Sequence, residues 1–155
     1  MTKPSIASLL AVTLAGCMGY VPGQQSYWDA QVKEMCEKEG GVSIVEKVIL
    51  TKQEAALMPH VDGKIAPRSN SSLSSRDPVY SERRVSNLRE SNPRVSREEV
   101  LVIRRADQKI VARWVEYVRV GGDMPTGIMH DSSFRCPDPR QRLEQLKNLF
   151  VIQGD

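Results

Sequence analysis

Histidine is scarce in this 155-residue chain: His60 and His130 are the only two, and they stand far apart. Neither has a second ligand at a spacing such as His-x₃-His, so no metal site is expected, and no cofactor. The three cysteines, Cys17, Cys36 and Cys136, form no Cys-x-x-Cys pair, which argues against reactive or metal-binding thiols. Neither a Gly-x-Ser-x-Gly elbow nor a Gly-x-Gly-x-x-Gly loop occurs, so common signatures of acyl transfer and of phosphate cradling are missing. There is no internal repeat, and no apolar run reaches the roughly 20 residues a bilayer-crossing helix needs. Charge is close to balanced: 22 Lys and Arg against 19 Asp and Glu give a formal net charge of +3. A nucleic-acid binder should carry a concentrated basic footprint, and no such partner is expected.

What the chain does have is a targeting segment. Lys3 supplies a positive charge, Ile6 to Ala15 is a short apolar core, and Leu14-Ala15-Gly16-Cys17 closes it. A charged start, an apolar core and a small-residue cleavage site describe a secretory signal. The last four residues resemble the lipobox of bacterial lipoprotein precursors. That resemblance implies diacylglycerol on the Cys17 sulfur, cleavage before Cys17 and acylation of the new amino group. Two or three acyl chains anchor stably, whereas one is marginal. Met18 stands where an Asp tends to retain such proteins in the inner membrane, so the resemblance implies an outer-membrane address facing the periplasm. Tyr27-Trp28-Asp29-Ala30-Gln31-Val32-Lys33 and Phe134-Arg135-Cys136-Pro137 are similar to segments of small uncharacterised proteobacterial lipoproteins. This similarity implies no activity.

On that reading residues 1–16 are the signal peptide, 17–25 a lipidated tether, and 26–155 a single domain. The mature chain has 139 residues and, without Lys3, a charge of +2. A domain of this size buries about two-thirds of its unfolded surface, enough for a real core. With Cys17 acylated in an oxidising compartment, Cys36 and Cys136 most simply form a disulfide. Closing a loop of about 100 residues contributes about 4.7 kcal/mol in the chain-entropy model, and less where the unfolded chain retains structure.

The mature chain reads as α+β. Ser26 to Glu39 has Trp28, Val32, Met35 and Cys36 on one stripe, which predicts an amphipathic helix capped by Ser26. Val42 to Leu50 reads as one central strand, and Thr51-Lys52-Gln53-Glu54 as a capping box opening a short helix that Pro59 ends. Residues 59–78 are rich in serine, proline and charge, and are expected to be a flexible, disordered loop. Val79–Glu90, Arg94–Arg105 and Ile110–Val120 read as an antiparallel meander, with turns at Asn92-Pro93 and Ala106–Lys109. In the third run Ile110, Ala112, Trp114, Val118 and Val120 share a face interrupted by Glu116. His130 to Cys136 reads as irregular. Asp138-Pro139 starts a last helix, with Leu143 and Leu146 inward, and Phe150 to Ile152 reads as its end or as a short final strand. The expected fold is an antiparallel sheet of four or five strands with the N-terminal and C-terminal helices on one face.

Two candidate sites follow. His130-Asp131-Ser132-Ser133 holds the residue types of a hydrolytic triad, but neighbours in one loop do not make triad geometry, and a turn that caps its own backbone is the simpler reading. The sheet is rich in arginine, and Arg83, Arg104, Arg113 and Arg119 are candidate ligands for anionic headgroups or glycans, because guanidinium binds phosphate and carboxylate bidentately. Interleaved Glu82, Glu90, Glu98, Glu99 and Glu116 offer cross-strand charge pairing instead. The leading expectation is a non-enzymatic lipoprotein, held at the membrane by its acyl chains and contacting another envelope protein. The alternative is a binder or carrier of a small anionic ligand.

Overall fold

A computed structural model describes residues 21–123 and 130–154. Residues 1–20, which hold Cys17 and the expected signal peptide, residues 124–129, Asp155 and the side chain of Leu143 lie outside what is described. Helix α1 spans Gln24–Glu39. It is followed by β1 (Gly41–Ile44), β2 (Val48–Leu50), α2 (Lys52–Leu57), β3 (His60–Val61), β4 (Lys64–Ile65) and β5 (Arg68–Ser69). The long strands β6 (Val79–Arg89), β7 (Arg94–Arg104) and β8 (Ile110–Val120) come next, then β9 (Ser133–Cys136), α3 (Pro139–Leu146) and β10 (Phe150–Ile152). No helix among the described residues is long and apolar enough to cross a membrane.

The fold is α+β around a mixed six-stranded sheet in the order β1-β8-β7-β6-β5, with β9 also on β8. β1 and β9 share one edge of β8, against Ala112–Val115 and Tyr117–Val120 respectively. The meander has the expected bounds to within one residue, because alternation and turn residues agree over each run. Within this sheet, among the described residues, only β5 runs parallel to its neighbour, β6.

Opposed residues in antiparallel strands point to the same face, so the register sorts the sheet. Val95, Arg97 and Glu99 of β7 face Arg119, Tyr117 and Val115 of β8, and Glu98, Val100 and Val102 face Glu116, Trp114 and Ala112. Helix α1 lies on the first set: Val32 and Cys36 cluster with Val95, Val115 and Tyr117, flanked by Trp28, Met35 and Phe134. The end of α3 lies on the second: Leu146 clusters with Val79, Val102 and Ala112, together with Val48, Leu50 and Leu149. The two helices therefore cover opposite faces, not one. An apolar stripe fixes which side of a helix is buried; it carries no information on which side of the sheet receives it.

Several local expectations change. Helix α1 begins at Gln24, after Gly23 with φ of 82° and no side-chain cap, so Ser26 lies inside it. Val42–Leu50 is two strands: Val45 and Glu46 both donate to the Val111 carbonyl, the chain bends, and β2 pairs in parallel with β10 away from the main sheet. The stretch 59–78 carries the β3–β4 hairpin, turned by Asp62 and Gly63 at φ of 50° and 71°, and then β5. Asp77 organises its end. It is buried, accepts from Ser74 N and pairs with Arg68. The capping box at Thr51 and Glu54 is complete.

Candidate functional site

The Cys36–Cys136 disulfide joins α1 to β9, with Cα atoms 5.9 Å apart. It forms because Cys36 sits on the inward stripe of α1 and Cys136 pairs with Tyr117 on the same sheet face. The segment expected to be irregular before Cys136 is held as β9 by this neighbourhood.

The four candidate arginines do not converge. Arg119 is buried and pairs with Asp29 of α1 through Nε–Oδ1 at 2.8 Å and Nη2–Oδ2 at 3.3 Å. Its Nη1 donates to the Gly121 carbonyl at 2.6 Å and to Ser132 Oγ at 2.7 Å. Arg113, on that same face, lies 3.7 Å from Glu99. On the opposite face Arg104 binds both Glu46 and Asp107, and Arg83 donates to Glu98 at 2.6 Å. Each guanidinium already meets a carboxylate, and the four are divided between two faces. Nor does the His130–Ser133 segment assemble a nucleophile. Ser132 Oγ accepts from Arg119 and from Gln25, and Ser132 N donates to Asp123.

The α3 face holds a more unusual cluster. Glu98 and Glu116 oppose each other directly on β7 and β8, and both are buried, at 6% and 2% exposure. Two neighbouring buried carboxylates are tolerated only with cations at hand. Arg135 of β9 reaches both, and Arg83 of β6 reaches Glu98. Burial pushes the Glu98 carboxyl up most strongly, yet the hydrogen bond from Arg83 and the charges of Arg83 and Arg135 hold it below its ordinary value. The charge pairing expected of Glu98 and Glu116 is present, but on a buried face. The available signal was that Glu116 interrupts an apolar parity.

Beside this cluster lies a cavity of about 240 Å³ between β5, β6, β7 and α3. Ala66, Pro67, Val100, Val102 and Leu146 give it an apolar lining, Ser69 and Ser81 bring hydroxyls, and Arg83 and Arg142 bring charge. Sequence reading missed Arg142, because only the fold sets this exposed-looking helix residue over the sheet. No group of three or more His, Cys, Asp or Glu that could hold a metal ion is found among the described residues. Comparison with known protein families, with curated proteins and with solved structures finds no match in any of the three.

Proposed function

We propose that this chain is a lipid-anchored envelope lipoprotein, non-enzymatic, whose folded module contacts another envelope protein from the periplasmic leaflet of the outer membrane. The carrying observation is the Cys36–Cys136 bridge, which suits the oxidising compartment that the Leu14-Ala15-Gly16-Cys17 motif implies. The non-enzymatic part draws support from the engagement of Ser132 and the candidate arginines within the fold. Contact through the sheet draws support from β6. Beyond Ser81 its outer edge has no paired strand among the described residues, and Val85 and Leu88 are about half exposed along it. Such an edge accepts an extended segment by strand addition. The test is mass spectrometry of the mature N-terminus together with fractionation of Cys17→Ser. Acyl mass on Cys17, and release of the variant from the membrane, are expected; an unmodified, soluble mature protein refutes the anchor. In-cell crosslinking then names the partner.

A second reading, binding of a small anionic ligand, is favoured by one observation: the cavity bordered by Arg83 and Arg142. It replaces the four-arginine surface, whose members do not meet.

A further inference from the structure

Withdrawing a guanidinium from water is costly unless an acceptor compensates. Among the described residues the other half-buried or buried arginines follow this rule. Arg68 meets Asp77, Arg89 donates to the Asn92 and Pro93 carbonyls, Arg97 meets Glu39, and Arg104 and Arg119 are paired as above. Arg142 is half-buried and makes no hydrogen bond or ion pair with any described residue. It borders the cavity on the α3 face, where Arg83 spends donors on Glu98 alone and keeps others of its five. Two cations thus border one cavity, and one of them has no anion among the described residues.

The rest of the lining narrows the class of ligand. Val100, Val102 and Leu146 belong to the sheet and helix surfaces that meet there, and Ala66 and Pro67 close the side. Among the described residues no aromatic side chain lines the space, and these residues offer no flat stacking platform of the kind sugar rings favour. Ser81 Oγ is already bonded to the Arg68 carbonyl, which leaves little polar capacity for a ligand rich in hydroxyls. An apolar floor with a few placed polar groups is the ordinary build of a small-molecule site.

We propose that this cavity binds a small anionic amphiphile, its carboxylate or phosphate-ester group between Arg142 and Arg83 and its short hydrocarbon chain over Val100, Val102 and Leu146. The proposal rests on the second reading above and is independent of the acyl anchor.

The experiment titrates the mature, disulfide-bonded chain carrying Cys17→Ser, so that no acyl chain of its own competes. Backbone amide NMR shifts are followed with octanoate, octyl phosphate, octanol, acetate and inorganic phosphate, all below micelle-forming concentrations. Saturable one-to-one binding of octanoate or octyl phosphate is expected, with shifts confined to the cavity lining. Tighter binding of octyl phosphate assigns a phospholipid-type ligand; tighter binding of octanoate assigns a fatty acid. Arg142→Gln is expected to weaken binding at least tenfold, and Arg142→Lys to restore most of it. Val100→Asn is expected to weaken the octyl ligands by a similar factor and leave acetate unchanged. If acetate and phosphate bind in an Arg142-dependent way as tightly as the octyl compounds, the amphiphile inference falls while anion binding stands. If octanol binds as well as octanoate, if Arg142→Gln has no effect, or if nothing saturates, the anionic site itself is refuted.

Discussion

Arg119 and Asp29 tie α1 to the C-terminal end of β8: Arg119 is 1% exposed and its guanidinium meets both carboxylate oxygens. Arg119 Nη1 also holds the Gly121 carbonyl and Ser132, so one buried cation fastens the helix, the end of β8 and the approach to β9. Removing the carboxylate alone leaves that cation buried and underpaired. Asp29→Ala is expected to destabilise the oxidised protein by about 3–5 kcal/mol, as for breaking a buried ion pair. Arg119→Met with Asp29→Ala is expected to recover much of the loss, because two apolar side chains leave no stranded charge. Urea unfolding of the two variants checks this; equal losses sink the account.

The disulfide acts on the same interface from the other side. It spans a sequence separation of 100 residues, so the chain-entropy model gives it up to about 4.7 kcal/mol. Cys36→Ala with Cys136→Ala is expected to lower stability by about 2–4 kcal/mol and to do so mainly through the unfolded state. Denaturant midpoints of the oxidised and double-variant proteins, at matched pH, measure it. A change below about 1 kcal/mol means that the packing of Val32 on Val95 and Val115 holds α1 without the bridge.

The meander, the α1 stripe and the Thr51 capping box were legible because each is a local pattern: two-residue alternation, helical spacing, and a side chain reaching its own backbone. What was not legible is non-local. Ser133–Cys136 has no strand-like composition, and pairs only because β8 offers it Tyr117–Val120 beside the disulfide. The two-residue strands β3, β4 and β5 are too short to show any periodicity. Val42–Leu50 is apolar on both parities, and nothing in that composition marks the bend at Val45 and Glu46 that sends β2 to β10. At the cavity, Val100 and Val102 are recognisable in sequence as strand residues, whereas Arg142 is brought beside them only by the packing of α3 on the sheet.

Glu39, at the end of α1, links stability to pH. A hydrogen bond from Arg97, joined by one from Tyr117, holds its carboxyl at about 2 against an ordinary 4.5. A depressed folded-state value means the contribution is fully present above the ordinary value and is lost as the pH falls through about 2. Part of the acid loss of stability between those limits is therefore assigned to Glu39. Its side chain is 37% exposed, so the effect is modest and shrinks with added salt. Glu39→Gln is expected to flatten this part of the stability–pH curve; an unchanged slope would show that the pair with Arg97 forms without consequence.

The buried carboxylates on the other face give a sharper test, because burial there is nearly complete. Among the described residues Arg135 is the only cation to pair with both Glu98 and Glu116, and Glu116 Oε2 finds no hydrogen-bond partner there. Taking Arg135 away leaves Glu116 without its cation and opposite another carboxylate at the same register position. Like charges at such spacing in a poorly solvated site are not both kept ionised without cost. Arg135→Leu is therefore expected to destabilise by about 2–4 kcal/mol at neutral pH, with the loss shrinking as the pH is lowered and a carboxyl takes up a proton. Adding Glu116→Gln to that variant is expected to return most of the stability, because the neutral amide no longer repels Glu98. A double-mutant cycle on Arg135 and Glu116 isolates the pair. A coupling energy near zero would mean that Arg83 neutralises the cluster without Arg135, and that the carboxylates on β7 and β8 are balanced from β6 rather than from β9.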